Sequence, residues 1–278
     1  MGSLLTDRSP PERQKFKSSL VFIHGCWSGS WCWRKWATHF SNLGWDCVAI
    51  NLRGRAEEGS GQILKQLKFQ DCLDDLKRVI RTFSRPPVLV AHSLGGLLAQ
   101  ELAKVERVSA TVLISSVPTA GLEKDTTYEL RMLRLKYMPL VFLRRPFSLT
   151  EKDFSRSFLP SWPRYRHAEL LKLMVPESGY LVNEFLWRRI RVDLERISCP
   201  VLVVGGEEDR MVPLTSLREM ARQLGADLKE YPNHAHWLIG ESEEEMIVGD
   251  IHRWLVQKLG EENLVADFSG GPGEGMEV

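Results

Sequence analysis

A serine between a predicted strand and a predicted helix is the first residue of this chain that could do chemistry. The apolar run Val88–Ala91 predicts a buried strand, and apolar residues then recur at helical spacing over 94–105. Small residues, Ala91 and Gly95, lie two positions before and after Ser93, as a tight nucleophile elbow requires. Such a turn would place Ser93 Oγ at a helix N-terminus, where free N–H groups favour a developing anion. The same pattern is also compatible with a serine that only caps the helix.

A nucleophilic serine needs a base to accept its proton and a third group to orient that base. Asp209 follows the predicted strand Pro200–Val204, at the carboxyl end where open α/β sheets hold their sites. Glu207 and Glu208 are competitors for the same role, and an acid in this position could also belong only to a turn. We take Asp209 as the candidate acid.

Two histidines follow the next short strand of the sequence, and either could be the base. We favour His236, because Trp237 and Leu238 beside it can pack against an imidazole, and His234 stays the alternative. A His-x-His pair can also bind a metal, but no third ligand stands at a telling spacing, so we expect no metal site. The proposed chemistry requires no cofactor.

The loop His24-Gly25-Cys26-Trp27 follows a first predicted strand and could complete the site. Acyl transfer needs two backbone N–H groups aimed at the oxyanion, and Leu94, directly after the serine, can supply one. Gly25 allows a close approach of this loop, so the Cys26 N–H is our second candidate. We expect His24 to bond the loop, and Trp27 to form one wall of a substrate site.

Composition limits the class of protein and of partner. The chain has 278 residues and a formal net charge of +1, which gives no reason to invoke nucleic acid or an anionic membrane surface. No apolar run approaches the roughly 20 residues of a membrane span. Five cysteines without paired spacing favour a reduced, cytoplasmic setting. We expect a small-molecule substrate, and oligomeric state is left open.

Strand and helix patterns alternate over 20–120 and again over 196–259, which predicts a parallel sheet in an α/β protein. Between them, 121–195 shows helical patterns punctuated by prolines and no clear strand, which indicates a helical insertion. Residues 1–19 are expected to be a flexible leader. The glycine-containing segment 260–278 is expected to be a disordered tail.

The four segments together resemble the α/β-hydrolase superfamily across about residues 20–259. HGCW, AHSLGG, GGEEDRMVP and NHAHWLIGE match its oxyanion loop, nucleophile, acid and histidine segments in that order. The resemblance implies a mostly parallel sheet flanked by helices on both faces, with 121–195 as a cap over the site. HGCWSGSWCW is most similar to the subgroup of methylesterases, hydroxynitrile lyases and related bacterial esterases. Ala91 stands where glycine is commoner, and Arg53-Gly54-Arg55 replaces an RGHG-like loop, which leaves substrate preference open.

The sequence therefore predicts a serine hydrolase of small to medium, largely apolar carboxylic esters or lactones. Serine rather than aspartate at the elbow argues against the carboxylate nucleophile of the dehalogenases and epoxide hydrolases in the superfamily. A serine-triad C–C hydrolase or lyase is an alternative. A catalytically silent hydrolase fold used for binding is another, since fold does not imply function.

Overall fold

A computed structural model describes residues 6–55, 60–122, 126–160, 162, 164–187, 189–240 and 243–265. Over these residues the chain forms a seven-stranded sheet with the order β1-β3-β2-β4-β5-β6-β7. All neighbouring pairs are parallel except β1 with β3. The strands are β1 Thr6–Ser9, β2 Leu20–Ile23, β3 Cys47–Ile50, β4 Val88–His92, β5 Ala110–Ile114, β6 Val201–Gly206 and β7 Asp227–Tyr231.

Helices cover both faces of the sheet, as the sequence predicted. On one face α1 packs against α10, and on the other α3 packs against α4. The helices are α1 Arg34–Asn42, α2 Ser60–Gln66, α3 Phe69–Ile80, α4 Leu94–Val105, α5 Tyr128–Phe142, α6 Glu151–Phe158, α7 Arg164–Leu173, α8 Gly179–Leu186, α9 Leu214–Leu224 and α10 Glu244–Leu259. The central strands β2 and β4 are entirely buried, which explains their uninterrupted apolar runs.

Four helices, α5 to α8, lie between β5 and β6, inside the segment predicted as a cap. Three of them begin at a hydroxyl residue, Thr127, Thr150 or Ser178, whose side chain accepts a hydrogen bond from the N–H three residues on. These caps satisfy donors that a helix start leaves unpaired. The division into a core of 20–120 and 196–259 and a cap of 121–195 stays a prediction about domains.

The expected flexible leader is wrong for the described part of 1–19. Strand β1 pairs with β3 at the sheet edge, and Phe16 is buried with its ring stacked on Trp45 at 3.9 Å between centroids. Exposed edge positions tolerate the polar sequence of β1, so no apolar alternation marks it. The expected disordered tail is corrected in the same way over 260–265, because Leu264 forms a bridge with Phe16. Residues 1–5 and 266–278 lie outside the described residues.

The stretch between β3 and α3 contains the short helix α2, whose Leu64 is buried. Within the described ranges, none of the helices combines the length and the apolar character needed to cross a bilayer.

Candidate active site

The turn between β4 and α4 holds Ser93 in a backbone conformation that residues with side chains rarely adopt, at φ 54° and ψ −119°. Its N–H donates to the Ile114 carbonyl at 3.0 Å and its carbonyl accepts from the Val117 N–H at 3.0 Å, so β5 and the following loop secure the turn. A Cβ on Gly95 would lie 2.4 Å from the Ile23 carbonyl oxygen. Close contact with β2 therefore requires a residue without a side chain at position 95.

Ser93, His236 and Asp209 form one hydrogen-bonded chain. Ser93 Oγ lies 3.0 Å from His236 Nε2, and His236 Nδ1 lies 2.9 Å from Asp209 Oδ2. His236 is 1% exposed and Asp209 6% exposed, so little water competes with these bonds. The Asp209 carboxylate accepts the Nδ1–H, which leaves Nε2 as the acceptor for the serine hydroxyl. This arrangement can take a proton from Ser93 Oγ and return it to a leaving group.

Asp209 is oriented by its own backbone, since its Oδ1 accepts from the N–H groups of Met211 and Val212 at 2.7 and 2.8 Å. The competing acids Glu207 and Glu208 are both exposed. His234 bonds through Nδ1 to the Pro232 carbonyl, and the structure places His236 beside Ser93 instead. Over the residues that the structure describes, no cluster of His, Cys, Asp and Glu could hold a metal ion.

Both candidate oxyanion donors lie beside Ser93. Leu94 is the first residue of α4, so its N–H has no acceptor within the helix. Cys26 lines the same cavity as Ser93, and a Cβ on Gly25 would lie 2.8 Å from Ser93 Cβ, so this loop passes directly against the serine. Burial, with Glu177 nearby, raises the pKa of the Cys26 thiol well above its ordinary value, which keeps that thiol protonated.

His24 bonds its own loop, as the sequence indicated. Its Nε2 accepts from the Leu52 N–H at 3.1 Å, and its Nδ1 then donates to the Gly25 carbonyl at 2.8 Å. Burial, assisted by the positive charge of Arg55, lowers the pKa of His24 to about 3. The ring is neutral and ties β2 to the loop after β3.

His92 is a supporting residue that the sequence analysis quoted in the elbow without giving it a role. Its Nε2 donates to the His236 carbonyl at 2.8 Å, and the two rings lie 4.9 Å apart. Burial lowers the pKa of His92 to about 3, with His236 adding to the shift. A neutral His92 can fix the histidine loop without placing a positive charge beside His236. Its place next to the serine was the only signal in the sequence.

Glu177, from the loop before α8, supports the opposite side of the site and was not predicted. Its carboxylate accepts two hydrogen bonds from Arg55 at 2.7 and 2.8 Å and one from the Trp27 N–H at 3.3 Å. Both charged side chains are fully buried. Trp27 has a positive φ of 57°, and its carbonyl accepts from the Val175 N–H at 3.0 Å. The segment between α7 and α8 therefore holds the residue that follows Cys26.

A cavity opens above Ser93 between the sheet and helices α5, α6 and α8. Its atom-free space is about 960 Å³, counting the part open to solvent. The core contributes Cys26, Trp27, Ser93, Met211 and His236 to its lining. The cap-segment lining is largely apolar and includes Leu130, Leu133, Tyr137, Val141, Phe147, Leu149, Phe158, Val182, Phe185 and Leu186. Phe158 also meets the His236 ring edge-on at 5.0 Å.

A parallel sheet with a serine at the β4 elbow, an acid after β6 and a histidine after β7 has the arrangement of a hydrolase fold. The model of the Alpha/beta hydrolase family matches residues 20–247, and the chain belongs to that family. The expected fold class and superfamily are thereby confirmed.

The relatives compared next are 23 to 28% identical to this chain over the aligned residues. Epoxide hydrolase 3 of Xenopus tropicalis is 24% identical over an alignment of 257 residues. The alignment covers 82% of this chain and 68% of that protein. Methylesterase 7 of Arabidopsis thaliana is 28% identical over 190 residues, which cover 60% of this chain and 69% of that protein. The chain spans about half the length of the ABHD8 proteins it also matches, 53% for that of Bos taurus.

Among solved structures, the monoacylglycerol lipase of Paleococcus ferrophilus superposes with a TM-score of 0.70 at 20% identity. The alignment covers 93% of this chain and the whole of that one. At this identity the likeness supports the fold.

The neutral buried histidines make stability depend on pH. Below the ordinary histidine pKa of about 6.5 the unfolded chain binds a proton at His24 and at His92, while the folded chain does not until the pH nears about 3. We therefore expect the free energy of unfolding to decrease as the pH is lowered below about 6.5. The decrease should be up to about 1.4 kcal/mol per pH unit for each of the two histidines. Urea unfolding at several pH values between about 7 and 5 measures the slope. His92→Gln should flatten this slope, and an unflattened slope in His92→Gln would count against the neutral ring.

We expect the stability of the protein to depend on the buried ion pair between Arg55 and Glu177. Glu177→Gln should lower the free energy of unfolding by about 3–5 kcal/mol, because it leaves the Arg55 charge buried without a carboxylate. Adding Arg55→Met should restore most of the loss, since the stranded charge is gone. Glu230→Gln, in the more exposed pair with Arg218, should cost no more than about 1 kcal/mol. Equal losses in the two single variants would show that burial of the Arg55–Glu177 pair does not matter.

Proposed function

We propose that this protein is a serine hydrolase of small to medium, largely apolar carboxylic esters or lactones. Ser93 is the nucleophile, His236 the general base and then acid, and Asp209 the residue that orients His236. The N–H groups of Cys26 and Leu94 bind the oxyanion, and Trp27 forms a wall of the substrate site. The observation that carries the proposal is the chain from Ser93 Oγ to His236 to Asp209, which opens into an apolar cavity.

The reaction begins with attack of Ser93 Oγ on the ester carbonyl carbon, while the hydroxyl proton passes to His236 Nε2. The carbonyl oxygen becomes an oxyanion, which the two N–H groups stabilise. Protonated His236 then donates its Nε2 proton to the alkoxide oxygen, and the alcohol leaves. A water molecule attacks the acyl-serine with the same histidine as base, releasing the acid and restoring Ser93.

The preference for an apolar substrate follows from the cavity walls. Pockets of this kind take up ligands mainly through apolar contact, with few polar groups to orient them. Besides Ser93 and His236, the polar or charged lining residues are Thr126, Arg134 and Ser216, and the other lining side chains from α5 and α8 are aliphatic or aromatic. Relatives named as a methylesterase and a methyl jasmonate esterase are consistent with ester substrates.

The serine at position 93 favours ester hydrolysis over epoxide hydrolysis. Although Epoxide hydrolase 3 of Xenopus tropicalis is similar, the elbow residue here is serine and not the carboxylate expected of an epoxide hydrolase. The hydrogen bond from Ser93 to His236 supports an active serine over a silent binding fold, because a binding protein has no need of it.

Removing any member of the proposed chain should abolish most activity. We expect Ser93→Ala and His236→Ala to lower kcat on p-nitrophenyl esters about a thousandfold or more, with Asp209→Asn also severe. A fluorophosphonate probe should label the parent and not Ser93→Ala, and EDTA should change nothing. Glu207→Gln, at an exposed acid on the same loop, is the control, with thermal melts to confirm folding. A harmless His236→Ala together with a damaging His234→Ala would overturn the base assignment.

We expect the cavity wall formed by α5 to limit the length of the acyl chain that the site accepts. Leu130 of α5 lines the cavity, whereas Met132 faces solvent. Leu130→Trp should lower kcat/KM for longer acyl chains relative to the acetate by about tenfold or more, because the ring takes up space that the chain needs. Met132→Trp should leave the chain-length profile unchanged. A profile that Leu130→Trp does not alter, with a lowered melting temperature, would show that this residue only packs.

A further inference from the structure

The outward face of α5 carries large apolar side chains in water. Its exposed members range from 40% exposed for Met138 to 74% for Phe142. They recur at helical spacing and continue one residue past the helix, and we call them the α5 stripe: Tyr128, Met132, Leu135, Met138, Phe142 and Leu143. The helix has 15 residues, so the stripe is about 22 Å long. Exposed apolar patches of this extent mark interaction sites in soluble proteins.

The inward face of the same helix already has its partners. Leu133, Tyr137 and Val141 are buried and line the cavity above Ser93. Apolar side chains therefore occur on both the inward and the outward face of this helix. Packing within the chain accounts for one face only.

The stripe lies among basic side chains. Residues 128–145 contain five basic residues and one acidic residue, Glu129, although the whole chain carries a net charge of only +1. Lys136 pairs with Asp153, and Glu129 with Arg156 and Arg210. For Arg131, Arg144 and Arg145, all exposed, no carboxylate of the described residues lies within salt-bridge distance. This surface complements an anionic partner.

We infer that the α5 stripe docks on an anionic lipid surface. Large apolar side chains flanked by arginine and lysine are what an interfacial helix presents to lipid headgroups and acyl chains. A convex helix needs no matching groove on a fluid surface. A second copy of this chain fits less well, because a symmetric contact would bring together two copies of a surface on which Arg131, Arg144 and Arg145 are exposed. In the docked position the lipid lies against the outward face of α5, and the cavity above Ser93 lies against the inward face.

Vesicle sedimentation tests the docking separately from hydrolysis. The full chain should bind phosphatidylcholine vesicles containing phosphatidylserine about tenfold or more tightly than phosphatidylcholine alone, and high salt should weaken the binding. The double variant Leu135→Ser/Phe142→Ser should lose about tenfold or more in vesicle affinity. Its activity on a short water-soluble p-nitrophenyl ester and its melting temperature should match the parent. Ser93→Ala should bind vesicles like the parent, so a failure of docking and a failure of the proposed hydrolysis give different results.

Met246→Ser, at an exposed apolar residue of α10, is the matched control and should bind like the parent. Arg131→Gln/Arg145→Gln should lose the preference for phosphatidylserine while keeping some affinity for neutral vesicles. Absence of parent binding to either vesicle would overturn the inference, as would a stripe variant that binds like the parent. A dimer in sedimentation velocity that the stripe variant abolishes, without vesicle binding, would assign the stripe to a second copy instead.

Discussion

The backbone of Ser93 is held at a positive φ where the carboxyl ends of β2, β4 and β5 lie side by side. The rest of the site depends on this contact. Strands β2 and β4 are parallel neighbours with Ile23 paired to Ala91, so both strands end at the same level of the sheet. The loop after β2 and the turn after β4 are therefore forced together, and Gly25 and Gly95 are the positions where a side chain would collide with the opposite strand's continuation. The same closeness brings the Cys26 N–H beside the serine.

The two sides of the site are supported from different parts of the chain. On the histidine side, His92 holds the His236 carbonyl from directly beneath the serine. On the oxyanion side, Glu177 holds the Trp27 N–H and is itself neutralised by Arg55. Glu177 lies just before α8, and that helix contributes Val182, Phe185 and Leu186 to the cavity lining. Cavity shape and the position of the oxyanion loop are thereby coupled, because the same backbone carries both.

The net charge of the whole chain does not reveal the local charge and the exposed apolar face of α5. A net charge of +1 argued against an anionic membrane surface, yet 128–145 is strongly basic and has its exposed face covered with apolar side chains. The periodicity of this segment predicts a helix over Tyr128–Phe142, and the structure contains that helix. Since apolar residues occur on both faces of it, the pattern cannot say which face is buried. Only the packing of Tyr137 and Val141 against the cavity settles the question.

Local pattern was enough to predict the buried strands, most helices, and Ser93, Asp209 and His236 at the ends of their strands. These features depend on residues close together in the sequence, so a short window contains the signal. Strand β1, the burial of Phe16 and the roles of His92 and Glu177 depend on contacts between distant residues, such as the 150 positions that separate Trp27 from Glu177. A polar edge strand or a lone glutamate has no local pattern that reveals its partner. Tertiary structure alone decided which charges were buried together, because burial depends on what the fold brings around a side chain.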